Sequence, residues 1–491
     1  MNNEQRVIAG KRVAFLTLGC KVNSYETEGM RELFLKAGAV ETGFDKEADI
    51  YVVNTCSVTN MADRKSRQML HRARKKNPEA VLVAAGCYAQ AAGETLSAQE
   101  GVDLVVGNNQ KARIVELTEE LLERREEKRC ALLDIGRERD YEELPIETVT
   151  ERTRAYIKIE DGCNQFCSYC IIPYVRGRVR SRGEKEILAE IARLAEEGYK
   201  EVVLTGIHLS SYGLERKKKD GEIGAEGQME VTKNRKTEKI SEFDAALASA
   251  EAERETVLPL LALLKKVQNI EGIERIRLGS LEPRIMTETF VRELAALPKL
   301  CPHFHLSLQS GCDATLKRMN RKYTTAEYTS AVERLRHYFN EPAVTTDIIV
   351  GFPGETKEEF EETMQFVREI AFSQIHIFKY SRRAGTAADR MAGQIPEPVK
   401  SARSDALEQI ERELRNAYIA DFFGKEEAVL LEEEAEADGN VYMVGHTTRY
   451  VKVFVPKTEE SLQTNETVCV TILGERIGDG VAAEPNREES I

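Results

Sequence analysis

Cys163, Cys167 and Cys170, in DGCNQFCSYC, stand at i, i+4 and i+7. A loop with this spacing can aim three thiolates at one cubane iron–sulfur cluster and leave its fourth iron open to a small ligand. The competing reading is a zinc knot. Structural zinc takes four closed ligands, usually from paired C-x₂₋₄-C units, and no partner C-x-x-C exists elsewhere in the chain. Cys130, Cys301, Cys312 and Cys469 stand alone and read as bystanders.

A second trio, Cys20, Cys56 and Cys87, closes three apolar runs, LTLGC, VVNTC and VAAGC. A buried cysteine at a strand end is ordinarily a small core residue. Three at the same phase of three successive strands would converge on the crevice at the carboxyl ends of a parallel sheet. Three convergent thiolates again suit an iron–sulfur cluster.

The elements that must position these groups follow from periodicity. Over 10–145, the runs VAFLTLGC, DIYVVNTC, AVLVAAGC and VDLVVGNN alternate with helical patterns, which predicts an open parallel α/β domain. From Ala155 the alternation resumes in AYIKIE, EVVLTGIH, RIRLGSLE, HFHLSLQS, VTTDIIVGF and QIHIFKYS. Six βα steps over 150–423 predict a partial (βα)₆ barrel with its site at the C-terminal strand ends. The charged stretch 215–256 interrupts them and reads as a solvated surface insertion. A long helix is expected over 398–423. Short strands with turn signals over 424–490 predict a small β-barrel.

The 491 residues suggest about three domains. No apolar run reaches the roughly 18–20 residues of a membrane span. The N-terminus lacks a basic-then-apolar signal pattern, so the expected compartment is the cytoplasm, where thiols stay reduced.

Glycines and polar residues at barrel strand ends complete the candidate site. Gly206, in LTGIH, would let the backbone approach a ligand, and Gly351 and Gly354 do the same in DIIVGFPGE. Their other reading is a tight strand–helix turn. Gln309, Ser310 and Asp347 stand where they could hydrogen-bond a cofactor.

TLGCKVNSYETE, NTCSVT, AAGCYAQ, CNQFCSYCIIPYVRGRVRSR, SLQSGCDATLKRMNRKYT and DIIVGFPGET together resemble the methylthiotransferase family of radical S-adenosylmethionine enzymes. The resemblance covers nearly all the chain except 215–256. It implies two [4Fe-4S] clusters: an auxiliary one on Cys20, Cys56 and Cys87, and a radical one on Cys163, Cys167 and Cys170. The radical cluster would bind S-adenosylmethionine, with Tyr169 against the adenine. The last domain would be the β-barrel called TRAM.

Family members insert methylthio at an unactivated C–H, drawing on a sulfur source and an external electron donor. One S-adenosylmethionine would supply a methyl group and a second a 5′-deoxyadenosyl radical. Lys-Val-Asn after Cys20 resembles the branch acting on N6-threonylcarbamoyladenosine at position 37 of tRNA. Other branches act on N6-isopentenyladenosine 37 or on a ribosomal-protein aspartate. A non-catalytic iron–sulfur RNA-binding protein is the alternative from another class. The expected assembly is a monomer or weak dimer.

The net charge of -13 at first speaks against an RNA partner, but its distribution does not. Residues 424–491 hold six basic and fifteen acidic residues, and the remainder outside the insertion is close to neutral. Basic clusters lie at 64–76 and 174–182. Arg176, Arg178, Arg180 and Arg182 alternate, which predicts an extended segment presenting all four to RNA. In the acidic last domain, any grip on RNA would come from a face around His446, Arg449, Lys452 and Lys457.

Overall fold

The computed structural model describes residues 6–99, 101–123, 129–144, 146, 153–216, 258–457 and 462–486. From residue 217 onward the insertion 215–256 lies outside them.

The first unit is a six-stranded parallel sheet. Its strands are β1 (Arg12–Thr17), β2 (Val40–Glu41), β3 (Ile50–Thr55), β4 (Val81–Gly86), β5 (Leu104–Val106) and β6 (Arg129–Ala131), in the order β2-β1-β3-β4-β5-β6. Helices α1 (Lys21–Lys36), α2 (Asn60–Lys76), α3 (Cys87–Gln99) and α4 (Ile114–Glu123) cover it. Both faces are buried: Ile50, Val52 and Val83 point into one apolar layer, Tyr51, Val53 and Leu82 into the other. That is why these strands read as continuous apolar runs. The chain leaves β1 toward β2 on one side and resumes at β3 on the other. The switch point therefore falls between β1 and β3, where such sheets bind ligands.

The second unit holds six parallel strands in two connected triplets. β7 (Arg154–Lys158), β10 (Glu201–Thr205) and β11 (Arg275–Leu278) form one; β12 (His303–His305), β13 (Ala343–Val350) and β14 (Gln374–Lys379) form the other. Parallel bridges Ile276–Leu300 and Leu281–Leu306 join them. A short antiparallel pair, β8 (Glu160–Asp161) with β9 (Arg180–Ser181), closes the loop that carries the radical-type cysteines. Between and after these strands run α5 (Ile172–Val175), α6 (Glu184–Glu196), α7 (Pro259–Val267), α8 (Glu288–Ala295), α9 (Asp313–Arg318), α10 (Thr325–Tyr338) and α11 (Lys357–Ile370). Thr324 with Glu327 and Thr356 with Glu359 form capping boxes at the starts of α10 and α11, which fixes where those helices begin.

Strand alternation sorts the barrel. Ile157, Leu204, Ile276, Phe304, Val344 and Ile375 face outward into the layer shared with the helices. Their neighbours face inward and are mostly polar, so this barrel has a lined interior and not an aliphatic plug.

The long helix, α12 (Glu397–Ala420), ends three residues before its expected limit. Beyond it β15 (Glu426–Ala437), β16 (Asn440–Thr447), β17 (Lys452–Pro456), β18 (Thr467–Ile477) and β19 (Gly480–Pro485) form a closed barrel. Its fifth strand, GVAAEP, lacks the β-branched run that marked the other four. The small barrel seats on the N-terminal strand ends of the large one. Arg275 donates to the carbonyls of His446 (3.0 Å) and Ala428 (2.9 Å), and Arg154 pairs with Glu432 at 2.9 Å. Among the described residues no helix is long and apolar enough to cross a membrane.

Candidate active site

The loop bearing Cys163, Cys167 and Cys170 is tied at several points. Cys163 N–H donates to Gly177 O (3.0 Å) and Ser168 Oγ to Arg318 O (2.8 Å), while Asn320 Nδ2 donates to Phe166 O (2.9 Å). Gly162 has φ +81°, and a Cβ there would lie 2.0 Å from Arg178 O, so only glycine fits. Burial pushes the Cys163 thiol well up, and Cys167 and Cys170 push it further. Burial and Cys167 lift Cys170 to about 12. Three thiols on one tied loop are the donor set a cationic cluster would satisfy.

Arg321 was not among the sequence candidates. It donates to Cys167 Sγ at 3.2 Å, to Tyr323 OH at 2.9 Å and to Ser307 O at 3.3 Å. Burial opposes its charge, and Tyr323 and Cys167 more than restore it. It sits in KRMNRKYT, where no spacing distinguishes it from its basic neighbours.

The second trio also converges, but not as strand residues. Cys20 caps the N-terminus of α1, Cys56 follows β3 directly, and Cys87 opens α3. Cys20 and Cys56 therefore flank the switch point. A Cβ at Gly19 would lie 2.7 Å from Cys56 Sγ. Burial lifts the Cys56 thiol to about 11, with Cys87 and Cys20 adding to it.

The arginine segment is not the expected RNA-facing strand. Residues 172–175 form a helical turn, and only Arg180 and Ser181 are extended. Arg176, Arg180 and Arg182 are buried. Arg176 donates to Cys87 Sγ at 3.2 Å, to Asn23 Oδ1 at 2.7 Å, to Glu26 at 2.8 and 3.0 Å, and to Asp161 at 3.0 and 3.1 Å. Arg180 lies 3.6 Å from Asp161, and Arg182 pairs with Glu190 and, at 2.8 Å, with Glu143. Glu26 and Asp161 carry buried charges that need partners; Arg176 serves both, crossing from the barrel to the α/β unit to reach Glu26, and Arg180 adds to Asp161. Only Arg178 is exposed, its guanidinium 4.4 Å from the centre of the Phe166 ring.

The cofactor candidates divide. A Cβ at Gly206 would lie 2.7 Å from Glu160 Oε2, so the glycine permits a close strand crossing. Gln309 adopts φ +74° at a strand end and is nearly buried. Tyr169 packs edge-on to Phe352, with ring centres 6.4 Å apart. Ser310 departs from expectation: its hydroxyl lies 3.3 Å from Thr363 Oγ1, toward the outer helix α11. Gly351 departs too, its N–H donating to Glu355 Oε2 at 2.7 Å and its α-carbon pressed against Lys400. Asp347 lies 3.3 Å from His305 Nε2.

Glu160 was missed. Its Oε2 accepts from His208 N–H at 2.7 Å, while its buried Oε1 has no partner among the described residues. Burial lifts its pKa to about 8.

The barrel cations expected to face RNA are already paired. His446 bonds Glu432 at 2.8 Å, Arg449 bonds Glu427 at 2.7 Å, Lys452 bonds Asp479 at 2.9 Å, and Lys457 pairs with Glu434. In the 64–76 cluster Arg74 is spent on Gly101 O and Asp103, whereas Arg64, Lys65, Arg72 and Lys75 are exposed.

Two family models match: the Radical SAM superfamily over 157–367 and the uncharacterized protein family UPF0004 over 12–107. The threonylcarbamoyladenosine tRNA methylthiotransferase MtaB of Bacillus subtilis is 39% identical, covering 92% of this chain and 91% of its own. The chain belongs to the radical S-adenosylmethionine tRNA methylthiotransferase family. The MtaB of Aquifex aeolicus is 37% identical over 86% of this chain and 93% of its own. The tRNA-2-methylthio-N(6)-dimethylallyladenosine synthase of Pelotomaculum thermopropionicum is 34% identical over 95% and 96%.

Superfamily membership makes S-adenosylmethionine and a [4Fe-4S] cluster cofactors of this methylthiotransferase. The residues fit them. Three thiols meet at one loop, and the orphaned Glu160 Oε1 is a buried acceptor beside it, suited to an ammonium donor.

Proposed function

We propose that this enzyme replaces the C2 hydrogen of N6-threonylcarbamoyladenosine at tRNA position 37 by methylthio, using two [4Fe-4S] clusters. It would work in the cytoplasm as a monomer or weak dimer, with an external electron donor and sulfur source. The observation that carries this reading is the meeting of the two cysteine sets. Cys87 shares one packed cluster with Ile171 and Val175, just past Cys170. A base held between them would touch both centres. The relatives at 39%, 37% and 36% identity that carry the threonylcarbamoyladenosine name favour that substrate.

S-adenosylmethionine at Cys163, Cys167 and Cys170 would supply one-electron chemistry that acid–base residues cannot offer an adenine C–H. The chain's own residues do the positioning. Arg321 holds the Cys167 sulfur, Arg176 holds that of Cys87, and Tyr169 forms an apolar wall. Glu160 offers its open carboxyl oxygen to a cofactor ammonium. Arg178 on Phe166 and the exposed cations of α2 are suited to anticodon phosphates and bases.

Mass spectrometry of tRNA nucleosides from a deletion strain tests the reading. Loss of the methylthio form of threonylcarbamoyladenosine is expected. Loss of only the isopentenyl form would transfer the enzyme to that branch. An unchanged tRNA profile would overturn the tRNA substrate altogether, leaving the ribosomal protein.

A further inference from the structure

The inward face of the large barrel presents a cation, Lys21, that has no ion-pair partner among the described residues. Lys21, next to Cys20 at the start of α1, reaches over the ring of Tyr156 on β7, with Nζ 5.7 Å from its centre. Tyr156 points inward, since Ala155 and Ile157 on either side belong to the outer apolar layer. Other cations on this face have carboxylates: Arg154 has Glu432 at 2.9 Å, and Arg277 has Glu201 at 2.8 Å. Among the described residues, no carboxylate lies within ion-pair distance of Lys21. The side chain is exposed, so its ammonium is open to an incoming ligand. An ammonium with no carboxylate partner, facing a site mouth, is suited to pair with an anionic group that a ligand brings.

Across the same interior stand His305, Asp347 and His376, on β12, β13 and β14. One polar atom of each lies within 4.8 Å of the others. Thr345 Oγ1, 3.0 Å from His305 Nδ1, orients the imidazole so that Nε2 meets Asp347. Tyr156, under Lys21, and this polar wall both lie on the inward face of the barrel strands.

We infer that Lys21 binds the carboxylate of the substrate's N6-threonylcarbamoyl group, with the Asp347–His376 wall receiving its hydroxyl and ureido N–H. This rests on the proposed substrate. The chemistry is selective: a threonylcarbamoyl group carries a carboxylate, a hydroxyl and a urea, whereas a dimethylallyl group carries none of them. The position is also suitable. A substituent anchored at Lys21 keeps its adenine beside Cys20, where Cys56 and Cys87 converge. Lys21 is thus a specificity-determining residue, and it supplies a polar contact that a dimethylallyl substrate would leave unmade.

The test uses the holoenzyme and an anticodon stem-loop carrying threonylcarbamoyladenosine, the same stem-loop with its threonyl carboxylate as a methyl ester, and one with plain adenosine. Binding is read by fluorescence anisotropy and turnover by methylthio product. Lys21→Gln, checked for unchanged iron content, should weaken binding of the carboxylate form about 10- to 100-fold, the range for a lost charge-assisted hydrogen bond. It should leave the ester and the plain form bound as in the wild type. The ester should bind the wild-type enzyme as poorly as the carboxylate form binds Lys21→Gln, a comparison that needs no folded variant. Lys21→Arg should restore part of the affinity. Equal weakening of all three stem-loops would make Lys21 a phosphate contact and overturn the inference. So would undiminished binding of the ester by the wild type. If the wild type fails to turn over the carboxylate form at all, the proposed substrate fails instead, and that result is separate from the binding comparison.

Discussion

Arg176 donates Nε–H to the sulfur of Cys87 across 3.2 Å, and its other nitrogens hold Glu26 and Asp161. One side chain of the barrel thereby fixes a cysteine of the α/β unit. Arg176→Met removes a guanidinium that touches all three and leaves Lys111 and Lys158 facing Glu26. Breaking a buried ion network of this kind costs about 3–5 kcal/mol. The expected outcome is a marked fall in the urea midpoint and loss of roughly half the reconstituted iron. A variant with normal stability and full iron would show that the contact holds nothing together.

Arg178 is the one arginine of the segment free to meet RNA. Arg178→Ala should weaken tRNA binding a few-fold and reduce the salt dependence of log K by about one phosphate's worth, near 0.9. Its thermal midpoint should not move. Anisotropy titrations at several salt concentrations give both numbers. An unchanged slope would remove Arg178 from the phosphate contacts.

What the sequence disclosed and what it hid divide along physical lines. The grouping of Cys163, Cys167 and Cys170 was legible because the three thiols lie on one short loop. Cys20, Cys56 and Cys87 were legible through strand phase, although all three lie just beyond their strands. The fates of Arg176, Arg180 and Arg182 were not legible. Their partner carboxylates, Glu26, Asp161 and Glu190, come from three different elements, and alternation along the chain says nothing about which face is buried. Glu160 and Arg321 were missed for the same reason: each acts through a contact across the fold, 48 residues away at His208 and 154 at Cys167. The strand GVAAEP of the small barrel carries little β signal of its own, because alanine and glycine are weak strand formers.

Two cubane clusters require about eight irons per chain on cubane stoichiometry. Replacing Cys163, Cys167 and Cys170 together by Ala should leave about four, with the remainder held by Cys20, Cys56 and Cys87. Anaerobic reconstitution followed by iron analysis reads this. Retention of all the iron would refute the assignment of the first trio.

Arg321→Gln should preserve iron content while weakening the chemistry at that centre. The guanidinium reaches Cys167 Sγ from 3.2 Å, and hydrogen bonds to cluster sulfurs raise reduction potentials by stabilising the added electron. The variant should reduce at a lower potential and form 5′-deoxyadenosine about 10- to 100-fold more slowly. A redox titration followed by electron paramagnetic resonance separates this from simple unfolding. An unshifted potential would leave Arg321 as a structural link to Tyr323 and Ser307 only.

His208 gives the fold an acid-side weakness. Burial, then the charges of Arg321 and Arg284, lowers its pKa to about 3, and its Nδ1 lies 2.6 Å from Ser211 Oγ. In the unfolded chain a histidine titrates near 6.5. Between about 3 and 6.5 the unfolded state therefore binds a proton that the folded state refuses. Stability is fully present above pH 6.5 and is lost as pH falls through that window, by up to about 1.4 kcal/mol per unit for this one group. His208→Asn should flatten the fall in thermal midpoint between pH 6.5 and 5 while lowering stability at pH 7.5, where the wild-type imidazole is neutral and bonded. Parallel profiles for the two proteins would mean that His208 is protonated in the folded state.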